Sequence, residues 1–397
     1  MNNKVTVRWP LTESTFGPAE KQAAIEVIES GRVTMGEKVR EFETRFAEYV
    51  GARHAVMMNS GSSANLVAVA ALASPYGGRL EPGDEVLVPA IGWATTYAPL
   101  AQYGLRLRVV DVDITSLATT AAAFARAATW RTRAVVSVSI LGTPAPLDEI
   151  RALAAARRWW FFEDNCESLG ASVNGKQAGT FGDVGTFSTF FSHHLNTIEG
   201  GVLVTDDSTL RDLAVCLRSH GWARDLDPTS PLYPRAASPF DSAYRFLIPG
   251  YNVRPTEISA AIGLAQLARL AELTEERRAN QVEFYLRFRG DERWVIQTLD
   301  SNRGDRVPFG FTLILRTQAD RAKVLPALTA AGIDFRLITG GCFTEHEASA
   351  LYKYDVVPGG LPNAVRAHRC GFFVGNHARN LSEEIALLHR ILDRVLT

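Results

Sequence analysis

The chain is poor in cysteine, and its four cysteines, Cys166, Cys216, Cys342 and Cys370, lie far apart. Without a closely spaced pair there is no zinc-site spacing and no metal site is expected, and so few thiols do not make a disulfide framework. Each is read as a small buried hydrophobe, with Cys166 set apart only by its neighbours. Charge of one sign is lacking as well. A formal net charge of −1, with acids and bases interspersed, excludes the electrostatic footprint of a nucleic-acid or anionic-membrane binder. No apolar run approaches the roughly 20 residues needed to span a bilayer. The opening Met1-Asn2-Asn3-Lys4-Val5 lacks the hydrophobic core of a secretion signal, so a cytoplasmic location is expected. Internal repeats and low-complexity linkers are also missing.

What remains is an ordinary globular composition, 46% hydrophobic and 21% charged over 397 residues, enough for two domains with substantial cores. Short β-rich runs alternate with helical stretches through the first two-thirds. Ala55–Met58 leads into an apolar helix from Ser62 to Ala73. Glu85–Pro89 precedes a Trp93–Tyr103 segment, and Arg106–Asp111 follows. Next come Ala134–Val138, a helix over Leu147–Arg157, and the run Trp159-Trp160-Phe161-Phe162-Glu163-Asp164. Such alternation predicts an α/β fold, a large mostly parallel sheet with helices on both faces. After Asn252 the pattern changes to one long helix, about Thr256–Arg278, and a strand candidate, Phe309–Leu315. A large domain over 1–250 and a smaller C-terminal α+β domain over 251–397 are expected.

Ligands of open α/β sheets gather at the carboxyl ends of the strands. Three such ends carry chemistry. Asn59-Ser60-Gly61-Ser62-Ser63-Ala64-Asn65 offers free backbone N–H groups and hydroxyls at a helix start, suited to a phosphate dianion, although a plain serine N-cap has the same look. Glu163-Asp164-Asn165-Cys166-Glu167-Ser168 ends a buried strand with a carboxylate that needs a partner. Asp164 would pair with a protonated pyridine nitrogen, or would simply cap the next helix. Trp93 either stacks on an aromatic ligand or fills the core. The third end is Ser192-His193-His194-Leu195-Asn196-Thr197-Ile198-Glu199-Gly200-Gly201, where an imidazole titrating near neutrality could serve as base and then acid, though a His-His pair is also common surface or core filler.

Taken in order, these segments resemble the DegT/DnrJ/EryC1/StrS group of sugar aminotransferases, built on the aspartate-aminotransferase (type I, pyridoxal-phosphate-dependent) fold. The likeness runs from about Gly17 to beyond Leu267. It is carried also by Thr186-Phe187-Ser188-Thr189-Phe190-Phe191, Arg218-Ser219-His220-Gly221-Trp222-Ala223-Arg224-Asp225-Leu226 and Pro249-Gly250-Tyr251-Asn252-Val253-Arg254-Pro255. At the place of the lysine that links the cofactor covalently in that group stands His193, which has no amine. The Ser-His-His loop resembles one branch, the pyridoxamine-phosphate-dependent sugar 3-dehydratases, and the overall likeness leans toward those acting on a GDP-linked 4-keto-6-deoxymannose.

The resemblance implies bound pyridoxamine 5′-phosphate or pyridoxal 5′-phosphate (PLP). Gly61, Ser62 and Ser188 would hold its phosphate, Trp93 its ring face, Asp164 its pyridine nitrogen, and Glu167 would approach its ring hydroxyl. Asn252 would reach the phosphate of a neighbouring subunit's cofactor, implying a homodimer with shared active sites. His220 and Arg224 would face the sugar nucleotide. His193 would be the acid/base of 3-dehydration, yielding a 4-keto-3,6-dideoxy sugar for deoxysugar and lipopolysaccharide O-antigen synthesis, with L-glutamate restoring the amine form. Related dehydratases hold an iron–sulfur cluster through four cysteines, two of them in a Cys-x-Cys pair. This chain has none, so no cluster and no partner reductase are expected. A PLP-dependent nucleotide-sugar aminotransferase is the alternative, disfavoured by a loop without lysine. A silent cofactor-binding regulator is the third reading, disfavoured because no basic DNA-binding segment is present. Arg336, His346 and the Gly340-Gly341 turn either line the cleft or are ordinary loop residues.

Overall fold

The computed structural model describes residues 7–233, 238, 240–241, 244–298 and 304–397. The chain begins with two helices, α1 (Pro18–Ser30) and α2 (Glu37–Val50), and then enters the expected alternation: β1 (His54–Met58), α3 (Gly61–Ala73), β2 (Glu85–Pro89), α4 (Ala94–Gln102), β3 (Arg106–Val110), α5 (Ala121–Ala127), β4 (Thr132–Val138), α6 (Leu147–Arg157) and β5 (Trp160–Asp164). A small hairpin, β6 (Ser172–Val173) and β7 (Lys176–Gln177), precedes β8 (Val184–Ser188), β9 (Gly201–Thr205) and α7 (Ser208–Leu217).

Among the described residues, β1, β9, β8, β5, β4, β2, β3 and one later strand form a single sheet in that order. All pairings are parallel except those of β9, which runs antiparallel to both β8 and β1. Strands buried on both faces are apolar at successive positions, each face taking every second residue. Accordingly Val86, Val88, Val136 and Phe162 enter a core with α3 and α7, whereas Leu87, Val135 and Phe161 enter one with α5 and α6. α3 is apolar all round because it is enclosed. Its one buried polar side chain, Asn65, is 1% exposed.

The long helix expected over Thr256–Arg278 is two helices, α8 (Glu257–Ala268) and α9 (Leu270–Phe288). The backbone leaves the helical region at Arg269 (φ −120°, ψ 14°), whose guanidinium turns to the buried Glu20 and to Glu272. Beyond α9 come β10 (Trp294–Ile296), β11 (Gly310–Leu315), α10 (Gln318–Ala330), β12 (Tyr354–Val356), α11 (Pro362–Cys370), β13 (Gly371–Gly375) and α12 (Ser382–Val395). Antiparallel β10-β11-β13 carries a second core with Trp9, Phe284, Phe288 and Leu388.

The 251–397 segment does not stay together. β12 is the eighth strand of the large sheet, pairing in parallel with β3 and fastened by a bidentate Arg106–Asp355 bridge at 2.7 and 2.9 Å. α8 sits beside α2, with the Glu257 carboxylate accepting from the N–H groups of Gly36, Lys38 and Val39. Conversely Trp9, from the N-terminal segment, is buried in the small core. We therefore propose that the domain changeover follows α9 rather than residue 250. No helix among the described residues is long and apolar enough to cross a membrane. The four cysteines are free thiols, and Cys216, Cys342 and Cys370 are buried.

Candidate active site

The carboxyl ends of β2, β5 and β8 open onto one cleft, lined by Ser60, Gly61, Ser62, Asn65, Trp93, Thr95, Asp164, Cys166, Glu167, Ser188, His193, Glu199, Phe309, Arg336 and Thr339 among others. Seven of the expected site residues thus meet in one place: Gly61, Ser62, Trp93, Asp164, Glu167, Ser188 and His193. Among the described residues no lysine lines it, and Arg336 is its single Lys or Arg.

At the start of α3, both readings of the serine turn hold for different residues. Ser60 Oγ accepts from the Ser63 N–H at 3.1 Å and is the N-cap. Ser62, one turn position on, exposes its hydroxyl to the cleft and donates to Thr95 Oγ1 at 3.1 Å. Gly61 is required by closeness, since a Cβ there would lie 2.6 Å from Ser188 Cβ and 3.0 Å from Cys166 Sγ. Helix start, bare backbone and two hydroxyls form an anion cradle.

Asp164 and Glu163 are adjacent, and the period of the strand sends them apart. Glu163 is fully enclosed and accepts from Gly179 N–H (2.7 Å) and from Gly182 N–H, and burial pushes its carboxyl up to about 7. Asp164 faces the cleft at 4% exposure. Its Oδ2 accepts from Asn65 Nδ2 at 2.8 Å and Thr96 Oγ1 at 2.6 Å, and its Oδ1 from the Cys166 N–H at 3.2 Å. Thr186 Oγ1 donates to Asn65 Oδ1 at 2.6 Å and locks the amide. Every one of these donors is neutral. Among the described residues no cation pairs with this buried carboxylate, which is therefore suited to one.

Glu167 accepts from the Leu141 N–H at 3.0 Å and from Thr339 Oγ1 at 2.9 Å. Burial pushes its carboxyl up to about 7; those two donors oppose the rise and the charge of Asp164 adds to it. Thr339 itself has φ 48°, in the left-handed region, and Gly340 packs so tightly on Gly92 that a Cβ would meet its carbonyl at 2.4 Å.

The two histidines part company. His194 is 1% exposed, with Nε2 on the Val307 carbonyl, and burial drives its imidazole well below the usual range, so it is a neutral core residue. His193 is half-buried at the cleft, between Phe190 (ring centroids 6.1 Å) and Phe309 (5.4 Å). Desolvation lowers its pKa to about 4; the Cys166 carbonyl works against that shift and the Arg277 charge with it. Its Nδ1 is buried without a partner.

The structure leaves Asn252, His220 and Arg224 outside this cleft, all exposed on one neighbouring patch. Ser219 and Asn252 form a β-bridge, the His220 N–H donates to Tyr251 O at 2.6 Å, and Arg224 lies 3.9 Å over Trp222. The patch adjoins the cradle through the Asn59 N–H, which donates to Val253 O at 3.0 Å. Trp93, 53% exposed, is not core. His346 is outside the lining residues, with Nε2 on the Gly340 carbonyl. Sequence reasoning missed Asn65, Thr96, Thr186 and Thr339. Asn65 had a signal, a lone amide in an otherwise apolar helix, which must find a buried partner.

Fold and cleft together define an enzyme of the aspartate-aminotransferase class. Residues 15–386 match the DegT/DnrJ/EryC1/StrS aminotransferase family, and the chain belongs to it. It is similar to the GDP-4-keto-6-deoxy-D-mannose 3-dehydratase of Yersinia pseudotuberculosis, 41% identical over 395 residues, 98% of this chain and 100% of that one. Among solved structures it resembles the E. coli GDP-4-keto-6-deoxy-D-mannose-3-dehydratase with bound hydrated PLP, at TM-score 0.93 and 40% identity, covering 98% of this chain and 100% of that chain. A structure of GDP-4-keto-6-deoxymannose-3-dehydratase with a trapped PLP-glutamate geminal diamine gives TM-score 0.92 and 40% identity over 97% and 100%.

Proposed function

We propose that this chain is a pyridoxamine-phosphate-dependent 3-dehydratase of a nucleotide-linked 4-keto-6-deoxyhexose, with GDP-4-keto-6-deoxymannose as substrate and a 4-keto-3,6-dideoxy sugar as product. The observation that carries the reading is His193, a half-buried imidazole in a cleft that no lysine of the described residues lines.

The cleft fits the cofactor on its own geometry. The Gly61 cradle, which any Cβ would fill, suits the phosphate, and the cation-free Asp164 suits a pyridinium. Ser62 and Ser188 would add hydroxyls to the phosphate, Trp93 would cover the ring face, and Glu167 would meet the ring hydroxyl. When bound, pyridoxamine phosphate supplies an amine for the C4 ketone and a ring that takes up electrons as a C–H bond breaks.

With a pKa near 4, the His193 imidazole is an unprotonated base at neutral pH. It takes a proton at its ring nitrogen and, as imidazolium, returns it to the departing C3 oxygen. Asp164, held by Asn65 and Thr96, keeps the opposite charge fixed while this happens. Phe309 and Phe190 flank the imidazole and limit its orientation. Arg336 is suited to a carboxylate of L-glutamate, the proposed amino donor. Asn252, exposed beside the cradle, would complete the phosphate site of a second copy in a homodimer, and His220 and Arg224 would meet the nucleotide there.

The test is incubation with PLP, L-glutamate and GDP-4-keto-6-deoxymannose, with mass spectrometry of the sugar and assay of ammonia. Loss of the C3 oxygen with ammonia release is expected. A sugar that keeps its oxygen and gains nitrogen would make the chain an aminotransferase.

A further inference from the structure

The loop from Thr189 to Gly201 is knotted so that its tip and its end face one cleft. The Thr189 N–H donates to Gly200 O (2.9 Å), the Thr197 N–H to Thr189 O (2.9 Å) and the Phe191 N–H to Ile198 O (3.0 Å). The hydroxyls of Thr189 and Thr197 pair at 2.6 Å. Gly200 has room for nothing more, since a Cβ would sit 2.2 Å from one of those hydroxyls and 2.3 Å from the other.

One residue in this knot is strained. Ile198 has φ 71°, a region that β-branched side chains rarely enter, and Asn196 Oδ1 holds it there by accepting its N–H at 2.8 Å. Packing does not explain the strain, because the Ile198 side chain is 50% exposed. Its neighbour explains it better. Glu199 has its carbonyl fixed by Thr197 Oγ1 at 3.1 Å, and the residue, exposed to solvent, lines the cleft with His193. Strain of this kind persists where the position it secures is used.

Three acidic residues among the described ones line the cleft, and two are committed. Asp164 accepts from Asn65, Thr96 and Cys166, and Glu167 from Leu141 and Thr339. Glu199 has no hydrogen bond or ion pair to its carboxylate from any described residue. A carboxylate repels the diphosphate of a nucleotide and the carboxylates of an amino acid, while sugar hydroxyls are its natural donors.

We infer that Glu199 is a specificity residue for the hexose, its carboxylate accepting from the hydroxyls of the nucleotide-linked sugar beside the carbon on which His193 acts. This rests on the proposed function for its substrate class. GDP-mannose and GDP are the probes, titrated by calorimetry into wild-type protein, E199Q and E199A, alongside the rate at which L-glutamate converts the PLP form spectroscopically. Wild type should bind GDP-mannose more tightly than GDP, and E199A should lose about tenfold or more of that hexose-dependent affinity, with E199Q between them. GDP affinity and the glutamate step should be unchanged. Ile198→Gly, which relieves the φ without touching the carboxylate, should lower hexose-dependent affinity while leaving the melting temperature close to wild type. Equal binding of GDP-mannose by wild type and E199A overturns the inference, as does a glutamate step slowed in parallel, which would put Glu199 on the donor's ammonium. If wild type dehydrates the keto sugar and E199A does so equally well, the inference falls and the dehydratase reading stands. If wild type fails to dehydrate but E199A loses hexose affinity, the reverse holds.

Discussion

Thr339 and Glu167, 172 positions apart, meet across the cleft in a 2.9 Å hydrogen bond from hydroxyl to carboxylate. The bond joins the β5 end of the large sheet to a loop bearing Arg336, and the threonine has a left-handed φ of 48°. Burial nonetheless dominates the titration of Glu167, raising it from 4.5 to about 7.

That shift has a definite sign. The folded chain holds the Glu167 proton more tightly than the unfolded chain, so the stability from this group is full below pH 4.5 and is lost as pH rises through 7. Glu167→Gln cannot ionise. Its melting temperature relative to wild type should climb between pH 5 and pH 8 in calorimetric scans, and a constant difference would show that Glu167 titrates normally.

For His193 the shift runs the other way, from 6.5 down to about 4, with desolvation as the main cause. A base must be unprotonated to act, and this one stays so throughout the neutral range. The acid limb of log kcat/KM for the keto sugar should therefore fall near pH 4 rather than near 6.5. A limb at 6.5 that survives in the wild type and vanishes in a His193 variant would mean that the cleft does not depress the imidazole.

Replacing His193 by Asn should cut kcat by about 10²–10⁴-fold, the usual range for a positioned acid–base group. Replacing it by Lys restores an amine at the place where the family's lysine stands. Dehydration should collapse equally, while PLP becomes reducible onto the protein by borohydride and stays with it through denaturation. Undiminished dehydration by His193→Lys would remove the imidazole from the reaction.

Asp164→Asn exchanges a buried carboxylate for a neutral amide of the same shape, leaving a bound pyridinium unpaired. Removing one partner of a buried ion pair costs roughly 3–5 kcal/mol, equivalent to about 10²–10⁴-fold. PLP affinity should drop by that order in equilibrium dialysis, with the melting temperature of the cofactor-free protein little changed. Normal retention would mean that Asp164 serves the Asn65–Thr96 network alone.

Much of the cleft was legible because strands buried on both faces announce themselves as apolar runs, and what stands at their carboxyl ends is exposed to ligands. β2 and α6 fall on the expected residues, and Gly61, Asp164 and His193, read from such ends, meet in one cleft, whereas Ser188 came from likeness. Illegible residues act through distance along the chain. Thr96 and Thr186 are ordinary threonines until the fold sets them around Asp164 and Asn65. β12 is only three residues long, too short for any period to show, yet it caps the sheet through Asp355. The break at Arg269 was hidden too, since no proline or glycine marks it; a buried glutamate from α1 draws the guanidinium aside. Asn252, His220 and Arg224 came from likeness alone, and their exposed patch lies outside the cleft of a single chain.

Arg336 offers the sharpest separation of the two half-reactions. It lines the cleft with no carboxylate of the described residues in ion-pair contact, and its backbone N–H is anchored to Phe373 O at 3.0 Å on β13. A fork of donors on a backbone fixed to the small sheet matches an amino-acid carboxylate, whereas the keto-hexose ring is uncharged and the diphosphate is assigned to Arg224. Arg336→Ala should therefore raise KM for L-glutamate by about tenfold or more, in line with the loss of a hydrogen bond to a charged group, and slow regeneration of the amine form. A single turnover starting from enzyme preloaded with pyridoxamine phosphate should proceed at nearly the wild-type rate. Should the single turnover fail in step with regeneration, Arg336 would belong to the sugar-nucleotide site instead, and the anchor for the donor would have to be sought elsewhere in the cleft or on a second subunit.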